Sequence, residues 1–123
     1  MTREEILTTA REIICRDRNE QYGEPEDNFS IIAEYWSAYL NGKYRTGTPI
    51  SSEDVANMMS LFKLGRITTS KNHKIDNYVD LAGYAACAAE CAEEELRKIY
   101  SLAEKLKAPS EDAEKCCSRC SND

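Results

Sequence analysis

The chain has 123 residues, which is enough for one domain with a hydrophobic core. Its formal net charge is −6 and no basic stripe is available to neutralise phosphates, so we expect no nucleic-acid partner. No apolar run approaches the roughly 20 residues of a membrane span. Residues 1–18 are too charged for a signal peptide, and we therefore expect a cytoplasmic protein with no membrane partner.

Apolar residues at helical spacing dominate the first part of the chain. Thr2 and Glu5 predict a capping box, and the first helix is expected to extend to about Arg18. Turn-forming residues at 21–23 predict a break. A second helix follows the break and is expected to end at Leu40.

Two further helices are predicted in the second part of the chain. The third follows a loop at 41–50 and is capped by Ser51 or Ser52, and the fourth extends from near Lys74 to about Lys107. No segment has the alternating pattern of a strand. The sequence therefore predicts an all-α fold, a compact bundle of about four helices.

The domain organisation follows from a change in composition near residue 108. We expect one helical domain at 1–107 and a flexible, Cys-containing tail at 108–123. The third helix has apolar residues on nearly every side, and small residues at 82–92 permit close helix approach, so we expect a homo-oligomer, either a dimer or a tetramer. Three aromatic residues of the second helix are expected in the core or in an interface: Tyr35, Trp36 and Tyr39.

The six cysteines do not indicate a disulfide scaffold. Cys15, Cys87 and Cys91 lie in helical patterns and are expected to behave as small buried apolar residues. The tail includes a CxxC motif with no second pair at zinc spacing, so reactive thiols are favoured over structural zinc. The tail cysteines are Cys116, Cys117 and Cys120. The only histidine, His73, lies in a polar loop and is expected to be solvated.

Two clusters of acids and amides begin the third and fourth helices. The first cluster is Glu53, Asp54 and Asn57, and the second is Asp76, Asn77 and Asp80. Carboxylates in the first turns of helices either cap the helix or hold a divalent metal. For Asp54 and for Asp76, capping and a functional role are equally good explanations. Asp80 lies deeper in its helix, where an unpaired charge is costly, and we favour a functional role for it.

Two cations and an upstream turn supply candidate contacts for a nucleotide. Lys63 and Arg66 share a helix face and predict phosphate binding, with snorkelling or a salt bridge as the alternative. Lys63 lies about 180° round the helix from Asp54, so a neighbouring subunit completes the site or one of the two is structural. Tyr22 is placed to stack on a base and Asn28 to read its edge, unless both belong to an ordinary capped turn.

The order of these residues resembles the MazG-like superfamily of all-α nucleoside triphosphate pyrophosphatases, whose motif is E-E-x-x-E followed by E-x-x-D. The corresponding strings look like Glu53-Asp54-x-x-Asn57 and Asn77-x-x-Asp80. Phage nucleotide-modification-associated domains of that superfamily are also similar, and a group of small phage proteins of unassigned function is more similar still. That likeness follows the order Tyr22-Gly23, Lys63-x-x-Arg66 and Asp76-x-x-x-Asp80-x-Ala82-x-Tyr84-Ala85.

The resemblance implies a Mg²⁺-dependent pyrophosphohydrolase that cleaves a (deoxy)nucleoside triphosphate to the monophosphate and pyrophosphate. The implied metal ligands are Glu53, Asp54 and Asp80, and the implied catalytic residues are Asp54, Asp76 and Asp80. The candidate substrate-binding residues are Lys63, Arg66, Tyr22, Asn28, Asn57 and Asn77.

Asn57 and Asn77 depart from the family pattern, because the family has glutamate at both positions. Amide oxygens bind a cation without charge and more weakly than carboxylates. The alternative is therefore a phage protein on the same fold that captures a nucleotide without cleaving it, for example a host immune signal. A helical protein-interaction domain is a third hypothesis.

Overall fold

The computed structural model describes residues 1–107, and every regular element in that range is helical. The elements are α1 (Arg3–Glu12), a π-helical turn (Ile13–Asp17), α2 (Arg18–Tyr22), α3 (Pro25–Tyr44), α4 (Ser52–Thr69) and α5 (Ile75–Lys107). Because α1, the π turn and α2 form one continuous helical run, the described residues contain four main helical segments. The prediction of an all-α fold is confirmed.

The described residues fall into two units, which are considered separately. The first is Met1–Glu93, and the second begins at Glu94 within α5. The predicted 1–107 domain spans the first unit and the helical part of the second. The predicted tail at 108–123, with its three cysteines, lies outside the described residues. No helix within 1–107 is long and apolar enough to cross a membrane.

Capping boxes begin two of the helices. The Thr2 hydroxyl accepts a hydrogen bond from the Glu5 backbone N–H, and the Thr2 backbone N–H donates to the Glu5 carboxylate. At the start of α4, the Asp54 backbone N–H donates to Ser51 Oγ at 3.1 Å, and the Ser51 backbone N–H donates to Asp54 Oδ2 at 2.9 Å. These reciprocal bonds satisfy donors that the helix itself leaves unpaired, so both predicted starts are confirmed.

Two helices extend beyond their predicted ends. The first run continues past Arg18 until Gly23, whose φ of 81° favours glycine and ends the helix. Helix α3 continues through 41–44 and ends where Arg45 adopts a left-handed conformation with φ 55°. The Arg45 backbone N–H donates to the Asn41 carbonyl at 2.9 Å, which is a common helix terminus. The prediction of a loop at 41–44, which relied on the turn-forming residues there, was therefore wrong.

Helices α3, α4 and α5 supply the core of the Met1–Glu93 unit. The buried residues of this cluster are Phe29, Ala33, Val55, Ala56, Cys87, Ala88 and Cys91. Val55 is fully buried, which contributes roughly 1.5–3 kcal/mol relative to exposure. A Cβ added to Gly83 would lie 3.0 Å from Ile14 Cγ2. The predicted close approach at small residues is therefore present where α5 meets the π turn.

The cysteines and aromatics of the described residues divide between core and surface. Cys87 and Cys91 are buried as predicted, but Cys15 is exposed, so its predicted burial is wrong. It follows Ile13 and Ile14 in the π turn, and those two side chains take the inward positions. The aromatic residues of α3 also divide, because Trp36 packs on the core whereas Tyr35 and Tyr39 are exposed in the single chain.

Candidate functional site

A cavity of about 350 Å³ lies within the Met1–Glu93 unit. Its apolar wall includes Ile14, Phe29, Ile32, Trp36, Val79 and Tyr84. Its polar side chains are Arg18, Asn19, Tyr22, Asn28, Lys63 and Asp80. A mainly apolar cavity of this volume with a few polar groups has the usual character of a small-molecule site.

Lys63 and Asp80 form an ion pair in the cavity wall. Lys63 Nζ donates to Asp80 Oδ2 at 2.7 Å, and the two side chains are 13% and 31% exposed. The pair joins α4 to α5. An ionised carboxylate has about four lone-pair positions, and this hydrogen bond occupies one of them. The pair therefore places a cation and an acceptor together in a mainly apolar wall.

Arg18 and Tyr22 mark the solvent-facing part of the cavity. Both side chains are exposed, and the Arg18 guanidinium carbon lies 5.8 Å from the centroid of the Tyr22 ring. They are four residues apart in α2 and so share a face. Sequence analysis identified Tyr22 but missed Arg18 and Asn19, because it placed Tyr22 in a break after the first helix and not on the same helix as these two residues.

The π turn brings the end of the first helical run to the cavity. In an uninterrupted α-helix, at about 100° a residue, Asn19 would lie about 180° from Ala10. The wider π turn accommodates about one extra residue, so the residues after it lie about 100° short of the angle that they would have in an uninterrupted α-helix. Asn19 and Tyr22 then lie at about 80° and 20° from Ala10, and all three line the cavity.

The first acid and amide cluster has no part in the cavity wall. Asp54 is exposed and forms the capping box with Ser51, Asn57 is exposed, and Glu53 is half-buried. None of the three cluster residues lines the cavity. The capping alternative for Asp54 is therefore what the structure shows within one chain.

The second cluster is divided between the surface and the cavity. Asp76 is exposed in the first turn of α5, Asn77 is buried, and Asp80 lines the cavity. Arg66 does not accompany Lys63. Its guanidinium lies 4.6 Å from the centroid of the exposed Phe62 ring, outside the cavity lining.

The carboxylates predicted to hold Mg²⁺ do not come together in one chain. Within 1–107, no three His, Cys, Asp or Glu side chains are placed to hold a metal ion. Asp54 Oδ2 accepts from the Ser51 backbone, and Asp80 Oδ2 accepts from Lys63. The predicted set of Glu53, Asp54 and Asp80 does not fit a metal within a single protomer, and it stays a prediction for an assembly of chains.

The buried thiols do not supply a nucleophile at neutral pH. Burial, reinforced by Glu90 and Cys15, raises the pKa of Cys87 to about 11. Burial and the neighbouring Glu26 raise the pKa of Cys91 to about 12. A neutral thiol is a weak nucleophile, so Cys87 contributes apolar surface to the cavity.

The family of the chain follows from comparison with known proteins. Residues 5–92 match the family described as a domain of unknown function, DUF6378. The chain belongs to this family. Every residue that lines the cavity lies between Ala10 and Cys87, inside the DUF6378 segment. The cavity thus lies within the part of this chain that matches the family.

Curated relatives of this DUF6378 chain come from mycobacteriophages. It is 41% identical over 91 residues to the Gene 55 protein of Mycobacterium phage D29, covering 74% of the chain and 56% of the relative. It is 44% identical over 80 residues to the Gene 55 protein of Mycobacterium phage L5, covering 65% and 47%. The chain spans about half the length of these relatives. The predicted likeness to small phage proteins is confirmed, and no solved structure matches.

Proposed function

We propose that this DUF6378 domain binds a nucleotide in the cavity lined by the Lys63–Asp80 pair. The observation that carries the proposal is the placement of this ion pair in a mainly apolar cavity of about 350 Å³. Charged groups are expensive to place in such surroundings, and a ligand with both charge and hydrogen-bonding groups would use them.

The cavity chemistry suits the parts of a nucleotide. Trp36 and Tyr22 offer aromatic surface for a base, and such stacking contributes roughly 1–3 kcal/mol per base. Asp80 accepts hydrogen bonds from sugar hydroxyls or base amines. Lys63 and Arg18 are the cavity cations that attract phosphate. The volume is near the small end of ligand pockets, so we expect the phosphates to extend toward Arg18 and solvent.

A second candidate is the Mg²⁺-dependent pyrophosphohydrolase implied by the likeness to MazG-like enzymes. It is favoured by the half-exposed carboxylate of Asp80 in the cavity wall. The acids of the first cluster lie outside that wall, so a second protomer would have to complete the metal site. In that enzyme, α5 would supply the candidate catalytic acids Asp76 and Asp80.

Titration calorimetry with nucleoside mono- and triphosphates and cyclic nucleotides tests the binding proposal. We expect one class to bind wild type and to bind Lys63→Met at least about tenfold more weakly, because a charged hydrogen bond contributes about 1.5–3 kcal/mol. Lys71→Met removes an exposed loop cation as a matched control. Equal affinities of the two variants, or no binding by wild type, would contradict the proposal.

Chromatography of the same mixtures, with and without Mg²⁺, decides between the two candidates. Nucleotides recovered intact after binding support capture without cleavage. Monophosphate and pyrophosphate that appear only with Mg²⁺, and disappear in Asp80→Asn, establish the enzyme.

Homo-oligomerisation is part of the same proposal, because α4 exposes apolar side chains in the single chain. Met58, Leu61, Phe62 and Leu64 are between 42% and 66% exposed. A run of exposed apolar side chains on one helix is typical of an interaction surface. Light scattering should give the mass of a dimer or tetramer, and Leu61→Glu should lower it. A monomeric wild type would contradict this part of the proposal.

A further inference from the structure

The last part of α5, residues 94–107, carries an apolar stripe that is exposed in the single chain. Its larger apolar side chains are between 52% and 87% exposed, and they are Leu96, Ile99, Tyr100, Leu102 and Leu106. At 100° per residue, these side chains and Ala103 fall within about 160° of the helix circumference. A stripe of apolar side chains along one helix is typical of a face that packs against another element.

The stripe keeps coiled-coil spacing over two heptads. Four of its residues are separated by three, four and three positions, as the a and d residues of a coiled coil are, and they are Leu96, Ile99, Ala103 and Leu106. The segment lies beyond residues 5–92, which match the DUF6378 family. Family membership therefore does not account for this surface.

The stripe is complementary to a second copy of itself when the two helices are antiparallel. With a two-fold axis beside Ser101, Leu96 comes level with Leu106 of the second copy. Ile99 then comes level with Ala103 of the second copy, so a large side chain meets a small one. Each of these layers occurs twice by symmetry, and one surface supplies both sides of the contact.

The charges at the two ends of the segment favour the antiparallel direction. Its first residues are Glu94 and Glu95, and its last turn carries Lys105 and Lys107. An antiparallel pair brings the acidic end of each helix level with the basic end of the other. A parallel pair would place acid beside acid and lysine beside lysine. Because Glu94 also pairs with Arg97 at 3.0 Å in its own helix, Glu95 is the better probe of this effect.

We propose that residues 94–107 bind the same segment of a second copy of this chain as a two-fold, antiparallel helix pair. The matching apolar layers and the opposite charges of the two ends identify the second copy as the occupant. The pairing does not depend on the nucleotide site, and its residues differ from those of the exposed α4 surface.

Sedimentation equilibrium of the full-length chain carrying Leu61→Glu, under reducing conditions, tests the pairing with the α4 surface altered. We expect a dimer. Adding Ile99→Glu should raise the dissociation constant at least about tenfold, because each pair would then bury two carboxylates in apolar layers. Leu7→Glu, at an exposed leucine of α1, is the matched control and should change nothing. A monomer before Ile99→Glu is added, or an unchanged dissociation constant afterwards, would overturn the inference.

The Ile99→Glu variant should fold, because Ile99 is exposed in the single chain and glutamate is a good helix former. Circular dichroism checks its helical content.

Exchange of one charge pair in the same Leu61→Glu chain tests the direction of the helices. Glu95→Lys and Lys107→Glu should each raise the dissociation constant about threefold or more at low salt, since each places like charges at one level. The two substitutions together restore opposite charges and should recover the original dissociation constant. Equal constants in all four chains, or a loss that persists in the double variant, would overturn the antiparallel arrangement.

Discussion

The start of α4 and the start of α5 both carry acids and amides, but only the start of α5 places an acid in the cavity wall. At α4, Asp54 is exposed and its carboxylate closes a capping box with Ser51. At α5, Asp80 lies one turn further into the helix and pairs with Lys63 in the cavity wall. The same residue types therefore stabilise a helix end in one place and furnish a potential ligand contact in the other.

Position along the helix explains this difference. A carboxylate three residues after a capping serine can reach back to the free backbone N–H, as Asp54 does. Asp80 is five residues after the start of α5, where the backbone donors are already paired within the helix. Its charge needs another partner, which α4 supplies with Lys63. Substitutions of three carboxylates, Asp80, Asp54 and Asp76, test this contrast.

Asp80→Ala is expected to have the largest effect on stability. It leaves the mostly buried Lys63 ammonium without its carboxylate, which should lower the free energy of unfolding by about 1–3 kcal/mol. Urea unfolding of the variant measures the loss. Adding Lys63→Met to Asp80→Ala removes the unpaired charge and should recover part of the lost free energy of unfolding. An unchanged unfolding midpoint in Asp80→Ala would show that the ion pair contributes nothing.

Asp54→Ala should destabilise the chain by about 1 kcal/mol, because it removes one half of the capping box. Nucleotide affinity should not change, since Asp54 does not line the cavity. Calorimetry and urea unfolding of the same preparation measure both quantities. A tenfold loss of nucleotide affinity with wild-type stability would instead assign Asp54 to the ligand site. That result is what a Mg²⁺ site completed by a second chain would require.

Asp76→Asn is expected to have a smaller effect, about 0.3–1 kcal/mol, through the favourable interaction of an acid with the helix dipole. Salt should screen this contribution, so the difference from wild type should shrink in 1 M NaCl. Thermal unfolding at two ionic strengths measures it. A salt-independent loss would point to a contact other than the dipole.

The Cys87 thiol makes the free energy of unfolding depend on pH only in alkali. Its folded-state pKa of about 11 lies above the ordinary value of 9.0, so the folded chain keeps a proton that the unfolded chain loses. The resulting stabilisation is complete below about pH 9 and is lost as the pH rises through about 11. Between pH 8 and 10.5, the free energy of unfolding should decline less steeply for Cys87→Ala than for wild type. Parallel declines would contradict burial of the thiol.

The sequence allowed the helices and their starts to be predicted because those features depend on local patterns. Ser51 and Asp54 are three residues apart, and Thr2 and Glu5 repeat that spacing. Asp80 also stood out, because its depth in an apolar helix makes an unpaired charge costly. Its partner was not identified, since Lys63 is 17 residues away and the pairing depends on how α4 and α5 pack.

The π turn could not be predicted from apolar spacing. Ile13 and Ile14 fit a regular α-helix equally well, and nothing in 13–17 marks a wider turn. Asn19 was overlooked because the first helix was expected to end at about Arg18, and an unbroken helix would in addition have turned it away from Ala10. The site residues supplied by α2 depended on a deviation that only the three-dimensional structure reveals.

The π turn also means that a change of chain length in one short segment can leave the cavity wall in place. The turn accommodates about one extra residue, so deleting a single residue from Ile13–Asp17 would let the first run form an ordinary α-helix in which Asn19 and Tyr22 keep their angles of about 80° and 20° from Ala10. If the run became a regular α-helix without a deletion, both side chains would instead turn by about 100°. Among homologous phage proteins, a gap of one residue at this position is therefore compatible with an unchanged ligand.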